Sequence, residues 1–526
     1  MKDKKFSVII AIVVMIFSSV ILFSIEGDER LEEEKNFNQK KSDQKRIEQI
    51  ITHHRSSPID EYKIFRSPTY PEEGVFILPE WEETKYLVLS IPYTDGFSNE
   101  NITKYYADII KHAIKYTNIL ILVNEDELGA LNELMTNLRN LGLQDKINQN
   151  KPYYIKILQI RLNTKWIRDY GPIFGTNINK DYLYVIDPIY RDIRIVDNDT
   201  QDRNFDDELP TYISPFLQRS FKYKIKIIKP PFQLWGGDFQ TDGSGNLFTS
   251  TETLIMNGAN TEDFELLFKY YLGMKRVVYL QPLPGRTIKH IDMFFKIVDE
   301  NTILIGEYIP DNNELLTNQN EYVRYLQDEV SLILNENYLL LKRNFPEKNI
   351  VKIPMPPMDI KIDEEVKLNF YKLLLLELLN SEGYQNYDLN NIDNMSKDEI
   401  EKMLIDLAKR SISEELDIDE QEGEIDKLLE LIIKIYIKEL LKQDPDACNY
   451  IYRTYLNSTF IKAENGNLLL VPGYNGFEKM EQRIRMKYHS VYPNSEIVFI
   501  NSDCIIEQYG AIHCTTLTIP KLRNHN

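Results

Sequence analysis

Short apolar runs alternate with segments of helical spacing through most of the chain. Residues 86–91 (YLVLSI) and 119–123 (ILILV) indicate buried strands, because strands covered on both faces are apolar throughout. Residues 101–116 and 126–140 carry apolar positions every three or four residues, as amphipathic helices do. Further strand candidates are residues 154–160, 183–186, 223–228, 277–280, 302–306, 468–471 and 497–500. This alternation predicts an α/β fold.

Residues 361–447 have a different pattern, which predicts a helical insertion. Amphipathic helices are expected over residues 396–410 and 424–442, and Ser396 with Glu399 forms a capping-box pattern at the start of the first. The range holds 23 acidic and 11 basic residues, a net charge of −12. Solvated helix faces over a small core explain this composition better than a binding function does. A lid or a partner surface remains open.

The first 25 residues predict a signal-anchor or a signal peptide. Residues 6–25 carry no charge, lysines precede them and acidic residues follow. About 20 apolar residues span a bilayer as a helix, so an uncleaved anchor is favoured over a cleaved signal. The flanking charges place residue 26 onward outside the cytoplasm. Residues 26–55 read as a polar tether or a solvated helix, where His53 and His54 have no expected catalytic role.

Composition and charge narrow the possible classes of protein. The chain has 526 residues, 43% of them apolar, and a net charge of −19. These values suit a globular protein and argue against nucleic-acid binding, which needs a basic surface. Three cysteines exclude a disulfide-built scaffold. Cys448 and Cys504 are expected either to pair or to be buried free thiols.

Two clusters of polar residues begin with a tryptophan and include glycine. In WIRDYGP (residues 166–172), Asp169 taken alone reads as a turn or cap residue. In WGGDFQTDG (residues 235–243), the paired glycines allow close approach of the backbone to another group. Neither cluster is decisive by itself.

Two further clusters contain histidine. In KHIDM (residues 289–293), His290 and Asp292 would face the same side of an extended strand, as a structural pair or as a site. In GAIHCTT (residues 510–516), a lone Cys514 is more often a buried apolar residue than a nucleophile. An extended segment would turn His513 to the opposite face, which predicts a structural role for His513.

Together the four clusters supply a thiol, a histidine and two carboxylates. A guanidinium fits this set, because its rigid fork of N–H donors matches paired carboxylates. A thiolate is the suitable nucleophile for the guanidinium carbon, and a bound cation would stabilise it.

In this order, the four motifs resemble those of the agmatine deiminase and bacterial (Porphyromonas-type) peptidylarginine deiminase family, which has the guanidine-modifying pentein fold. The resemblance covers residues from about 60 to 520, interrupted by the insertion. It implies a five-bladed α/β propeller of ββαβ-like modules around a central active site. The expected domains are residues 1–25, 26–55 and 56–526, the last with the insertion.

The resemblance also implies roles for individual residues. Cys514 would be the nucleophile, and Asp169 and Asp292 would bind the guanidinium nitrogens. His290 would protonate the departing ammonia and then activate water to hydrolyse a covalent thiouronium intermediate. No metal and no organic cofactor is expected.

Substrate-binding residues are inferred from the same motifs. Agmatine deiminases usually carry a glutamate before the paired glycines, where this chain has Trp235, and this weakens the agmatine assignment. The segment around Trp166 and Arg168 looks closer to the peptidylarginine branch, in which loop arginines hold the substrate carboxylate. Here that loop offers Arg191, Arg194 and Arg203, which could equally pair with local aspartates. The other expected pocket residues are Gly237, Asp238 and Asn457.

The leading hypothesis is a membrane-anchored or secreted deiminase that converts peptidyl-arginine to citrulline and ammonia. Its expected partners are arginine-containing peptides or small guanidines, with membrane contact through the N-terminal segment. The alternatives are an agmatine deiminase, an amidino transferase, and an inactive pentein that serves as a surface-binding protein.

Overall fold

The structure is a computed structural model in which two compact units can be described. The described residues are 74–92, 100–147, 153–190, 203–221, 224–257, 261–285, 289–308, 321–361, 364–381, 392, 395–396, 399–400, 402–407 and 449–522. The larger unit takes its described residues from 74–283, 289–359 and 451–522. The smaller unit takes its described residues from 284–285 and 360–450, which overlaps the predicted insertion.

Strands and helices alternate along the described parts of the chain. The strands are β1 (Phe76–Ile77), β2 (Thr84–Ile91), β3 (Asn118–Val123), β4 (Ile155–Gln159), β5 (Ile173–Thr176), β6 (Tyr182–Ile186), β7 (Lys224–Ile228), β8 (Gln240–Thr241), β9 (Asn246–Ser250), β10 (Arg276–Leu280), β11 (Phe295–Ile297), β12 (Thr302–Glu307), β13 (Asn349–Pro354), β14 (Asp359–Lys361), β15 (Asn449–Ile451), β16 (Thr459–Ala463), β17 (Gly466–Gly473), β18 (Ser495–Asn501) and β19 (Leu517–Pro520). The helices are α1 (Glu100–Ala113), α2 (Leu128–Asn140), α3 (Ile167–Tyr170), α4 (Asn204–Asp207), α5 (Leu209–Ser220), α6 (Thr251–Asn257), α7 (Thr261–Leu272), α8 (Glu321–Asn344), α9 (Glu364–Ser381), α10 (Glu478–Val491) and α11 (Asp503–Ile506).

Five sheets of the larger unit repeat one pattern. Each has an antiparallel pair of strands, and a third strand lies parallel to the second: β5-β6-β7, β8-β9-β10, β11-β12-β13, β16-β17-β18 and β19-β2-β3. A parallel step needs a crossover connection, which helices such as α1, α5, α8 and α10 supply. The α/β class is therefore confirmed. The circular arrangement of the five sheets remains a prediction.

Strand β2 shows why the apolar runs are continuous. Its odd-numbered residues Leu87 and Leu89 pack in a core with α1 and α2, whereas Tyr86 and Val88 pack in a second core with α5. Both faces are buried, so an alternating polar face would cost stability. Burying one leucine or valine side chain contributes about 1.5–3 kcal/mol.

The N-terminal predictions lie outside the described residues, since residues 1–73 are not described. Among the described helices, none is both long and apolar enough to cross a membrane. In the smaller unit, the capping box is confirmed: the amide of Ser396 donates to Glu399 Oε2 at 2.8 Å, and the amide of Glu399 donates to Ser396 Oγ at 3.4 Å.

Candidate active site

Five segments, each directly before the first strand of one of the five sheets, form a ring of hydrogen bonds. The amide of Gly237 donates to Asp169 (3.2 Å), and the amide of Ile291 donates to Asp238 (3.2 Å). The Asn457 side-chain amide donates to the Asp292 carbonyl (3.4 Å), the His513 amide donates to Asn457 (3.0 Å), and the Arg168 amide donates to the Cys514 carbonyl (3.2 Å). The ring is closed, and it supports the predicted circular arrangement.

Cys514 lies in the turn that precedes β19, and its thiol is buried. Asn457 Nδ2 donates to its Sγ at 3.1 Å, and Sγ lies 3.5 Å from Asp292 Oδ2. Burial raises the pKa of the thiol well above its usual value, and the carboxylates of Asp292 and Asp169 raise it further. A cation placed between the two carboxylates would offset the second effect and favour the thiolate.

His290 lies beside the same carboxylates. Its Nδ1 is 3.4 Å from Asp169 Oδ1, and Trp235 covers the ring edge-on at 5.0 Å between centroids. Burial by itself lowers the pKa of the imidazole, but neighbouring carboxylates, Asp169 first, outweigh burial and raise that pKa to about 9. His290 is therefore protonated at neutral pH. Its Nε2 has no hydrogen-bond partner among the described residues.

Three polar side chains converge on Gly237. A Cβ atom at this position would lie 2.6 Å from His290 Nδ1, 2.7 Å from Asp169 Oδ1 and 3.2 Å from Asp292 Oδ2. Contacts under 3 Å are not tolerated by real side chains, so only glycine leaves room for this group. Gly237 thus marks the point where two carboxylates and a protonated histidine meet.

Two motif expectations about backbone geometry are wrong. His290 precedes a 3₁₀ helix, Ile291–Met293, rather than lying on a strand with Asp292. His513 and Cys514 lie in a turn, so His513 does not point away from the site. Its Nδ1 is 2.7 Å from Asp292 Oδ2, and its Nε2 is 2.8 Å from Glu80 Oε1.

Two expected substrate-binding residues are engaged by the chain itself. Arg168 forms a 2.5 Å ion pair with Glu80, and its Nε donates to the His513 carbonyl at 3.4 Å. Asp238 accepts the amides of Ile291 and Ser250 and hydroxyl hydrogen bonds from Ser250 and Thr253 (2.6 Å each). Both side chains hold site segments in place.

Of the remaining expected residues, two have contacts in the described structure and two lie outside it. Trp166 packs against Gly510 and so braces the turn that carries Cys514. Arg203 donates to the Tyr190 hydroxyl at 2.7 Å, and the Tyr190 ring lies 5.8 Å from that of Trp235. Arg191 and Arg194 lie outside the described residues.

The sequence motifs did not indicate Glu80 or Lys296. Lys296 is buried, donates to the Ser458 carbonyl at 2.7 Å and lies 3.7 Å from Glu80. A lysine inside the apolar strand Phe295–Ile297 is a signal that could have found it. Glu80 carries no such signal, because its partners come from distant parts of the chain.

The other two cysteines were expected either to pair or to be buried free thiols. Cys504 is a free, half-buried thiol, and Cys448 lies outside the described residues. Across the described part of the chain, no group of three or more His, Cys, Asp or Glu side chains could hold a metal ion.

Comparisons with known proteins identify relatives of this chain. It is 24% identical over 338 residues to a Legionella pneumophila (strain Philadelphia 1) protein named "Putative agmatine deiminase", covering 61% of this chain and 86% of the relative. A Listeria monocytogenes protein named "Putative agmatine deiminase 1" is 26% identical over 161 residues, covering 30% of this chain and 43% of that protein.

Solved structures with a similar fold are pentein-fold deiminases. The C. jejuni agmatine deiminase has a TM-score of 0.54 at 19% identity, with 87% of this chain and 100% of that chain covered. The "Putative Arginine Deiminase from Porphyromonas gingivalis" has a TM-score of 0.53 at 16% identity, with 85% and 98% covered.

The family model described as Porphyromonas-type peptidyl-arginine deiminase matches residues 76–520, which is most of the chain. The motifs that carried the resemblance all lie within this match. The chain belongs to the Porphyromonas-type peptidyl-arginine deiminase family of hydrolases that act on C–N bonds of amidines.

Proposed function

We propose that the chain hydrolyses a guanidinium group through a covalent bond to Cys514. The observation that supports this most is the convergence of Asp169, Asp292 and His290 on Gly237, with the Cys514 thiol 3.5 Å from Asp292. The two carboxylates would accept the N–H groups of the guanidinium and fix its carbon near Sγ.

The electrostatics of the site suit this order of events. The carboxylates that raise the pKa of the Cys514 thiol would be neutralised by a bound guanidinium, so with substrate in place the thiol releases its proton to water and becomes the thiolate. The thiolate bonds to the guanidinium carbon. Protonated His290 then gives its proton to the departing nitrogen, the C–N bond breaks, and ammonia leaves.

The second half of the reaction restores the enzyme. Neutral His290 removes a proton from water, and the resulting hydroxide bonds to the carbon of the thiouronium intermediate. The C–S bond then breaks and the added hydroxyl group loses its proton to water, leaving a ureido product and the Cys514 thiolate. In the test, wild type should release ammonia and Cys514→Ala should not. Equal activity in the two proteins would rule out this mechanism.

We propose peptidyl-arginine as the substrate class. Trp235 lies against His290 and Tyr190, so this wall of the site is aromatic and offers no carboxylate to an amine. The match to the peptidyl-arginine deiminase family supports the same assignment.

Agmatine is the second candidate, because the curated relatives are named for agmatine deimination. The full-length chain should be incubated in parallel with an arginine-containing peptide and with agmatine, and the ureido product measured. Faster turnover of the peptide supports the proposal. Turnover of agmatine alone would overturn the peptidyl assignment and leave the deiminase chemistry intact.

We also propose that residues 1–25 carry the catalytic unit out of the cytoplasm. The proposal rests on the uncharged run of residues 6–25 and the charges that flank it. Export agrees with a peptide or protein substrate, and its test is given in the Discussion.

A further inference from the structure

His513 bridges two carboxylates behind the proposed guanidinium site. Its ring is 1% exposed, with Nδ1 2.7 Å from Asp292 Oδ2 and Nε2 2.8 and 3.0 Å from the two Glu80 oxygens. The reaction proposed above assigns no step to either His513 or Glu80. Burying a histidine between two carboxylates costs desolvation free energy.

The ionisation of Glu80 determines whether His513 Nε2 carries a hydrogen. Burial raises the pKa of Glu80, but Arg168, His513 and Lys296 outweigh burial and hold that pKa well below its usual value. An ionised carboxylate only accepts hydrogen bonds, so His513 Nε2 must carry a hydrogen.

The same reasoning applies to the other side of the ring. When Asp292 is ionised, its Oδ2 can only accept, and His513 Nδ1 must also carry a hydrogen. Both ring nitrogens of His513 then donate to carboxylates. If Asp292 instead held the proton, it would lose its attraction for a cationic guanidinium.

This contact also orients the carboxylate. Asp292 Oδ2 is occupied by His513 and the Cys514 thiol, whereas the buried Oδ1 has no hydrogen-bond partner among the described residues. Oδ1 is therefore the oxygen left to accept an N–H of the substrate.

We propose that His513, held by Glu80, is a positioning residue that turns the free oxygen of Asp292 toward the guanidinium. The inference rests on the proposed function, since it assigns Asp292 to substrate binding. The groups that face this pair are Asp292 from one side and Arg168 and Lys296 from the other.

Two substitutions by amide side chains of similar size test the two ring nitrogens of His513 one at a time. In His513→Asn the side-chain amide can replace Nδ1 and still donate to Asp292, whereas in His513→Gln it reaches the position of Nε2 and donates to Glu80. The test measures kcat and KM for the preferred guanidine substrate, the melting temperature, and alkylation of Cys514 by neutral iodoacetamide.

We expect His513→Gln to lower kcat/KM by about 100-fold, because a misplaced binding group can cost this much. The kcat/KM of His513→Asn should be about tenfold higher than that of His513→Gln. Melting temperature and alkylation should be similar in both. Wild-type kcat/KM in His513→Gln, or equal losses in the two variants, would overturn the inference. If the wild-type protein shows no deimination, the proposed function itself is contradicted.

Glu80 gives a second measurement if the histidine variants fail to fold. Its side chain is 28% exposed, so Glu80→Gln should be tolerated better than a change at the fully buried ring. We expect Glu80→Gln to lower kcat/KM by about tenfold, a loss typical of residues behind a ligating group, with Glu82→Gln as the unaffected control. Equal kcat/KM in both variants would overturn the inference.

Discussion

At Gly237, the space around one atom decides which residue the site can hold. The position does not need a positive φ, so an alanine would fit the backbone, but its Cβ would lie 2.6 Å from His290 Nδ1. We expect Gly237→Ala to lower kcat by about 100-fold, because displacing a catalytic group by about 1 Å can cost that much. Steady-state kinetics on the preferred substrate would measure the loss.

Gly129 is the matched control for this substitution. It lies in α2, where a Cβ would meet nothing within 4 Å. Gly129→Ala should leave kcat unchanged and stabilise the helix by up to about 1 kcal/mol. Full activity in Gly237→Ala would show that His290, Asp169 and Asp292 do not need their observed spacing.

The protonation of His290 depends on its carboxylate neighbours. Its pKa of about 9 lies above the value near 6.5 expected in the unfolded chain. The stability that this proton contributes is therefore fully present below about pH 6.5 and is lost as pH rises through about 9. We expect NMR titration of the imidazole to give a midpoint near 9 in wild type and a lower one in Asp169→Asn. A wild-type midpoint near that of free histidine would contradict this.

Among the elements, the 3₁₀ helix Ile291–Met293 is held in place by Asp238. Its carboxylate accepts the amides of Ile291 and Ser250, which ties the segment before β11 to the end of β9. Asp238→Ala should leave both buried amides without a hydrogen-bond acceptor. Each lost hydrogen bond should lower the free energy of unfolding by roughly 1–3 kcal/mol. Urea denaturation would measure this.

Asp238→Asn provides the comparison, because its amide oxygen can still accept one of the two hydrogen bonds. We expect a smaller loss in the free energy of unfolding for Asn than for Ala. If both variants are as stable as wild type, Asp238 does not hold the two elements together.

For the whole molecule, we propose that residues 1–25 decide where the enzyme acts. In a bacterial host, the full-length chain should sediment with membranes or appear outside the cytoplasm, because a run of about 20 apolar residues inserts or is exported. A variant that lacks residues 1–25 should remain in the cytosolic fraction. Cell fractionation with immunoblotting measures both, and a cytosolic wild-type chain would contradict the export proposal.

The site segments show how far the sequence could lead. Motifs around Asp169, His290 and Cys514 were found because rare or charged residue types stand within a few positions of one another, and all three side chains meet in the larger unit. Glu80 was not found, because no residue near it in the chain indicates a partner. The charges of Arg168 and Asp238 are visible in the sequence, whereas the groups that they contact within the fold are not.

The sequence by itself determined the α/β class, the family and the residue types of the site. These are local properties, since apolar runs set strands and helices, and each motif lies within a few neighbouring residues. Only the tertiary structure decided which groups touch. It placed His513 between Asp292 and Glu80, although 433 positions separate His513 from Glu80. The physical reason is that a contact across the fold depends on how the sheets pack, which local pattern does not encode.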